Sequence, residues 1–213
     1  MEKRKPFTMK AKRFLLLALF SSVLPFSARS QTVITFDDIP TPNLYASIPN
    51  GYQGLDWSTN FSVLNAIQAT DDGQYPSGYF YGMVSPSNVA YNGSASPVEV
   101  DAPTNFNFLS TYLTGAWNSN LNLEVEGFNG GTLLYSNTVV ASATSPTLFT
   151  FDYLNIDRLT FNSYGGQSAG FGYSGGNFVM DNMTFDFIPE PSSLLLTALG
   201  TVTLWGFVRR RRK

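Results

Sequence analysis

Twelve of the thirteen lysines and arginines in this chain lie at its two ends. Seven fall in residues 1–30 and five in residues 209–213, which leaves Arg158 alone between Gln31 and Ile188. The same interval holds thirteen carboxylates, from Asp37 to Asp186, and so carries a net charge of −12. A domain built on it can make almost no ion pairs. Its cohesion has to come from apolar burial and from hydrogen bonds. Such a surface repels nucleic acid, because binding there needs protein cations to displace condensed counterions. It favours solubility, and it is open to divalent cations. The acids read either as a cation site or as a solvated face. The chain has no cysteine and no histidine. Disulfides are therefore excluded, as are Ser-His and Cys-His nucleophile systems.

The basic ends each flank an apolar run. At the start, Lys3, Arg4, Lys5, Lys10, Lys12 and Arg13 precede Phe14–Phe26, and the small residues Ala28 and Ser30 follow. That order predicts a signal peptide over 1–30, cleaved after Ser30. A membrane anchor is the alternative, but the run is shorter than the roughly 20 residues a comfortable span needs. At the other end, Pro189, Glu190 and Pro191 precede the uncharged segment 192–208, and Arg209, Arg210, Arg211, Arg212 and Lys213 close the chain. As a helix the segment is about 25 Å long, at the lower limit for a span. The terminal cations then stay on the cytoplasmic side.

Proline-framed acid, apolar segment and basic cluster, in that order, resemble the PEP-CTERM sorting signal of exported Gram-negative proteins. The resemblance implies an exosortase-type membrane enzyme as partner, acting near Pro189, Glu190 and Pro191. It implies inner-membrane anchoring before processing, and release or transfer to the cell surface or matrix afterwards. Systems of this kind accompany exopolysaccharide production and biofilm formation. Five segments also resemble a recurring globular domain of such proteins: Phe36-Asp37-Asp38, Ile48-Pro49-Asn50-Gly51-Tyr52, Leu55-Asp56-Trp57, Ala116-Trp117-Asn118 and Phe178-Val179-Met180-Asp181-Asn182.

Residues 31–188 alternate like strands. Leu121, Leu123 and Val125 interleave with Asn122, Glu124 and Glu126, the pattern of a half-buried strand with its acids outward. Asn129-Gly130-Gly131 marks a hairpin into a strand over 132–141. Further strands are predicted at 33–36, 106–117, 147–151, 156–161 and 178–187. In the last, Met183, Phe185 and Phe187 share a face. Residues 62–69 read equally as helix or strand, and the glycine-rich run 165–176 reads as a mobile loop. With no long amphipathic helix and about nine or ten short strands, the fold class is all-β. The architecture is an antiparallel β-sandwich, jelly-roll-like, with an early strand paired to the last one. An immunoglobulin-like sandwich is the alternative.

Three constellations could carry function. Asp37 and Asp38 close the first strand and Asp181 lies in the last. In jelly-roll carbohydrate-binding modules, acids in those two places often share a structural calcium, an ion that takes six to eight oxygens. The alternative is that Asp37 and Asp38 simply begin a turn. Trp57, Tyr75, Tyr79, Phe80, Tyr81 and Trp117 are candidates for stacking on sugar rings. Tyr79, Phe80 and Tyr81 stand out, since three consecutive strand residues cannot all point inward. Core packing is the competing reading for Trp57 and Trp117. Glu124 and Glu126 are the best-spaced acid pair, with Cα atoms about 6.6–6.8 Å apart on one strand face. Glycosidases use carboxylates about 5 to 9.5 Å apart across a cleft. The composition favours presentation or binding over catalysis, and the sorting-signal resemblance implies an exported, non-catalytic module that interacts with exopolysaccharide. A structural surface protein without a specific ligand is the alternative, and a glycoside hydrolase the remote one.

Overall fold

A computed structural model describes residues 31–71 and 76–188. The expected leader (1–30), sorting motif, span (192–208) and basic terminus lie outside the described residues. Among the described residues no helix is long and apolar enough to cross a membrane.

Ten strands and two short helices follow in order. They are β1 (Thr32–Ile34), β2 (Tyr45–Ser47), β3 (Asp56–Trp57), β4 (Phe61–Asn65), α1 (Ala66–Asp71), α2 (Gly78–Tyr81), β5 (Asn88–Asn92), β6 (Val98–Gly115), β7 (Asn118–Asn129), β8 (Thr132–Ala141), β9 (Thr147–Ser168) and β10 (Phe178–Phe187). The ambiguous stretch 62–69 is both things at once: strand β4 ends at Asn65 and α1 begins at Ala66. The Asn65 carboxamide accepts from the Gln68 amide at 2.9 Å, which satisfies one free donor of that first turn.

The hydrogen-bonded path runs β2-β4-β5-β10-β6-β9-β7-β8, with β1 on β10 and β3 on β6. Every strand pair is antiparallel. The early-to-late pairing is present, with Thr32, Val33 and Ile34 opposite Phe185, Thr184 and Met183. The path folds over on itself. In a flat sheet β4 and β9, four places apart, would be separated by about 19 Å at roughly 4.8 Å per strand. Instead Phe61 of β4 meets Phe161 of β9 edge-on, with ring centroids 6.2 Å apart. The two layers thus enclose a core of Phe36, Phe61, Phe106, Phe108, Phe161, Phe178 and Phe185, all fully buried. This is the β-sandwich that the alternation predicts.

Two long strands make the fold possible. β6 and β9 serve both layers and change pairing partly through bulges, with register shifts between Asp101 and Phe106 and again around Phe108. Asp152 and Asn155 sit on β9 with φ of 51° and 60°. Their short polar side chains tolerate this left-handed region better than most residues. The sequence reading broke 147–161 into two strands at these residues, whereas β9 continues through them as a bulged strand. It also runs to Ser168, so Gly165 pairs with Leu121 of β7, Gly166 lies within the strand, and only 169–177 is loop.

Candidate functional site

Tyr79, Phe80 and Tyr81 are not in a strand. They form α2, a single helical turn that points them in different directions. Its position depends on Gly78: a Cβ there would lie 1.8 Å from the Gly115 carbonyl oxygen. The Gly78 amide donates to the Ala116 carbonyl at 2.9 Å, which seats the turn on the corner between β6 and β7. Tyr79 is half-buried against a small second core that includes Leu64, Ala116 and Val179. Its ring meets Tyr91 and Trp117 edge-on at 5.4 Å each. Burial drives its phenol pKa well above the usual tyrosine range. Phe80 is half-buried beside Tyr81. Tyr81 is 37% exposed and looks outward. Tyr75 lies outside the described residues.

The outward ring has a partner that sequence reading missed. Phe171, in the glycine-rich loop, lies 5.8 Å from Tyr81 at an interplanar angle of 32°. Tyr81 and Phe171, with Pro76, Gly170 and Gly172, line a cleft of about 430 Å³. Next to them Tyr173, 70% exposed, packs on Trp117 at 5.1 Å. A row of rings therefore runs from the buried Tyr79 through Trp117 to the exposed Tyr173, beside the cleft. The available signal was Gly170-Phe171-Gly172-Tyr173, an alternation of aromatic and glycine in a loop.

That loop is pinned. Ala169 donates to the Trp117 carbonyl at 2.9 Å, and the Ser168 hydroxyl donates to the Tyr173 carbonyl at 3.1 Å. Gly175 donates to the Asn118 side chain at 3.2 Å. Below it lies a buried polar cluster. The Asn92 carboxamide accepts from the Phe178 amide at 2.7 Å and donates to the Ser163 hydroxyl at 3.1 Å. The Ser163 hydroxyl donates in turn to the Gly176 carbonyl.

The three aspartates of the calcium expectation do not come together. Among the described residues no group of three or more Asp or Glu could hold a metal ion. Each carboxylate instead serves the chain itself. Asp37 accepts from the Asn88 amide at 2.9 Å, and Asp38 from the Tyr52 hydroxyl. Asp181 is fully buried and accepts from the amides of Val84, Ser85 and Asn182 at 2.7, 2.8 and 2.7 Å. Burial raises its pKa to about 6 against the opposing pull of those donors. Asp37 and Asp181 thereby fix the two ends of the segment 84–88, which follows α2.

Trp57 is a core residue, its Nε1 donating to the Tyr52 carbonyl at 3.1 Å. Glu124 and Glu126 share the outer face of β7, as the alternation predicts. Glu124 lies between Thr138 and Asn162, and Glu126 between Ser136 and Thr160. They stand on a sheet face, away from the aromatic cleft.

Residues 187–213 match the family of the PEP-CTERM protein-sorting motif. The chain carries a PEP-CTERM sorting signal over these residues. The match contains Pro189, Glu190 and Pro191 as well as the terminal Arg209–Lys213. The signal implies export, and processing by an exosortase at the membrane before release. No curated protein matches the PEP-CTERM chain by sequence. Among solved structures it is similar to the family 32 carbohydrate-binding module of NanJ from C. perfringens, in complex with galactose. Identity is 15% and the TM-score 0.35, over 66% of this chain and 98% of that one. It is also similar to TmCBM61 in complex with β-1,4-galactotriose, with 13% identity and a TM-score of 0.32 over 67% and 95% of the two chains. A third is the tandem CBM22 domain of Xyn10C from Paenibacillus barcinonensis, with 12% identity and a TM-score of 0.38 over 78% and 49%. Likenesses of this extent do not bear on ligand or activity.

Proposed function

We propose that the exported domain is a non-catalytic glycan-binding module of the cell surface or extracellular matrix, and that its ligand docks on the Tyr81–Phe171 wall. One observation carries this reading: an exposed aromatic pair forms one side of a cleft held in place by a hydrogen-bonded loop. Flat rings stack on the C–H faces of pyranoses, and pre-organised loops lower the ordering cost of binding. The charge of −12 over residues 31–188 narrows the ligand further. A polyanionic polysaccharide would be repelled, so the ligand is a neutral glycan.

The test is binding of purified protein to neutral and to acidic matrix polysaccharides. Tyr81→Ala and Phe171→Ala should each weaken neutral-glycan binding by roughly tenfold, while Tyr79→Phe leaves affinity unchanged. Binding to no neutral glycan, or binding insensitive to both alanine variants, would overturn the reading. A surface protein without a specific ligand would then stand. The hydrolase alternative rests on Glu124 and Glu126 alone, and unchanged turnover in the double Gln variant would end it.

A further inference from the structure

Strand β8 ends the hydrogen-bonded path, with β7 on one side and, among the described residues, no strand on the other. Its free edge is a row of backbone donors and acceptors, which is a template for another strand. Folded proteins usually guard such edges with lysine, proline or inward charges. β8 reads Thr132-Leu-Leu-Tyr-Ser-Asn-Thr-Val-Val-Ala141 and has neither charge nor proline. Its one irregularity is a register shift opposite Gly127 and Phe128, near the hairpin. Around it, residues 127–151 contain no charged side chain, in a domain with thirteen carboxylates.

The side chains add to this. Tyr135 stacks on Tyr153 at 4.7 Å, and Val139 and Ala141 face the core. The opposite face leaves Leu134 45% and Val140 53% exposed, with Ser136 and Thr138 between them. An edge that is long and uncharged, with apolar side chains at either end of its outer face and hydroxyls between them, fits a strand of the same character.

We propose that β8 pairs antiparallel with β8 of a second copy of this chain, joining two domains into one continuous sheet. The charge distribution selects this occupant. Two domains of −12 repel one another over most of their surfaces, and β8 lies in an uncharged stretch, residues 127–151, where they can meet without directly opposing carboxylates. A two-fold axis through the strand centre makes the contact self-complementary. One strand edge covers less than the roughly 1,200–2,000 Å² of a stable complex. Pairing is therefore weak between free molecules and effective where sorting concentrates the chains at a surface.

The chain has no native cysteine, so single-cysteine variants report the contact directly. The full chain, in membranes of cells that express it, is made as Ser136→Cys, Thr138→Cys and, as an exposed control away from β8, Thr59→Cys. After oxidation the β8 variants should give about tenfold more disulfide-linked homodimer than the control, as expected for a specific contact over random collision. Adding Val140→Lys should return them to the control level, because it sets a lysine, the residue that guards natural strand edges, on the pairing strand of each copy. Val140 is exposed, so folding is retained, which an unchanged thermal midpoint verifies; Asn137→Lys serves as a second variant. Equal dimer at Thr59, no homodimer at either β8 position, a cross-link to a different protein, or dimer insensitive to both lysine variants would overturn the proposal.

Discussion

The aromatic end and the β8 edge both expose apolar side chains on an acidic domain, yet they are built in opposite ways. At the aromatic end, α2 and the loop 169–177 meet over the β6–β7 corner and enclose a cleft. The ends of that loop are tied through the amides of Ala169, Gly170 and Gly175 to a carbonyl, a serine and an asparagine. Along the outer edge of β8, among the described residues, no strand takes up the backbone groups, which stay available to a partner. A concave, satisfied surface takes a small rigid ligand, whereas an open strand edge takes another strand. Exposure of hydrophobic residues alone does not separate these cases; the state of the neighbouring backbone does.

Variants can break this contrast from one side at a time. The largest expected effect is at Gly78. Gly78→Ala drives a methyl into the Gly115 carbonyl and should cost about 3 kcal/mol, seen as a lower urea midpoint. Glycan binding should fall with it. Next is Asp181→Asn, which replaces one carboxylate oxygen by a donor that faces either the amides of Val84 and Ser85 or that of Asn182. It should cost about 2 kcal/mol at neutral pH, measured by the same denaturation.

Asp181 also predicts a pH dependence. Its folded pKa of about 6 lies above the ordinary 3.8, so between those values the folded chain keeps a proton that the unfolded chain has released. This group's contribution therefore makes the domain more stable at pH 5 than at pH 7.5, and stability falls as pH rises through about 6. The Asp181→Asn variant should lose that slope; an identical slope in both proteins would assign it to other groups.

Asn92→Ala comes next. It leaves the Phe178 amide without its acceptor and should cost about 1–2 kcal/mol. It should also loosen the loop that carries Phe171, so glycan affinity falls although no cleft residue has changed. The smallest effect belongs to Glu124→Gln with Glu126→Gln, which should stay within about 0.5 kcal/mol of the parent. A large loss of stability there would mean that the outer face of β7 is more than a solvated surface.

The all-β class was legible because alternation at period two survives in the sequence wherever one strand face is buried. Leu121, Leu123 and Val125 are fully buried and Glu124 and Glu126 are not, as their order says. β9 was legible only in part. Asp152 and Asn155 are the residue types that end strands, and they are also those that tolerate a bulge; sequence cannot separate the two uses. The candidate site was half visible. Tyr81 was named, but for a strand geometry that does not exist, and Phe171 and Tyr173 were hidden in a loop whose composition suggested only mobility. Asp37, Asp38 and Asp181 do not converge, and their order could not say so, because a carboxylate that binds a cation and one that accepts from an amide or a phenol are the same residue.

What the sequence by itself determined is the address of this protein and the character of its domain. A sorting signal is a linear order of charge and apolarity, and −12 with one cation is a sum over residues; neither needs a fold to be read. What only the tertiary structure decided is which exposed groups share a surface. Tyr81 and Phe171 are ninety positions apart and touch because α2 and the β9–β10 loop are both hydrogen-bonded to the β6–β7 corner. β8 is an edge because the path of pairing stops there. Long-range pairing is settled by burial and hydrogen bonding over the whole chain, and no local pattern encodes it.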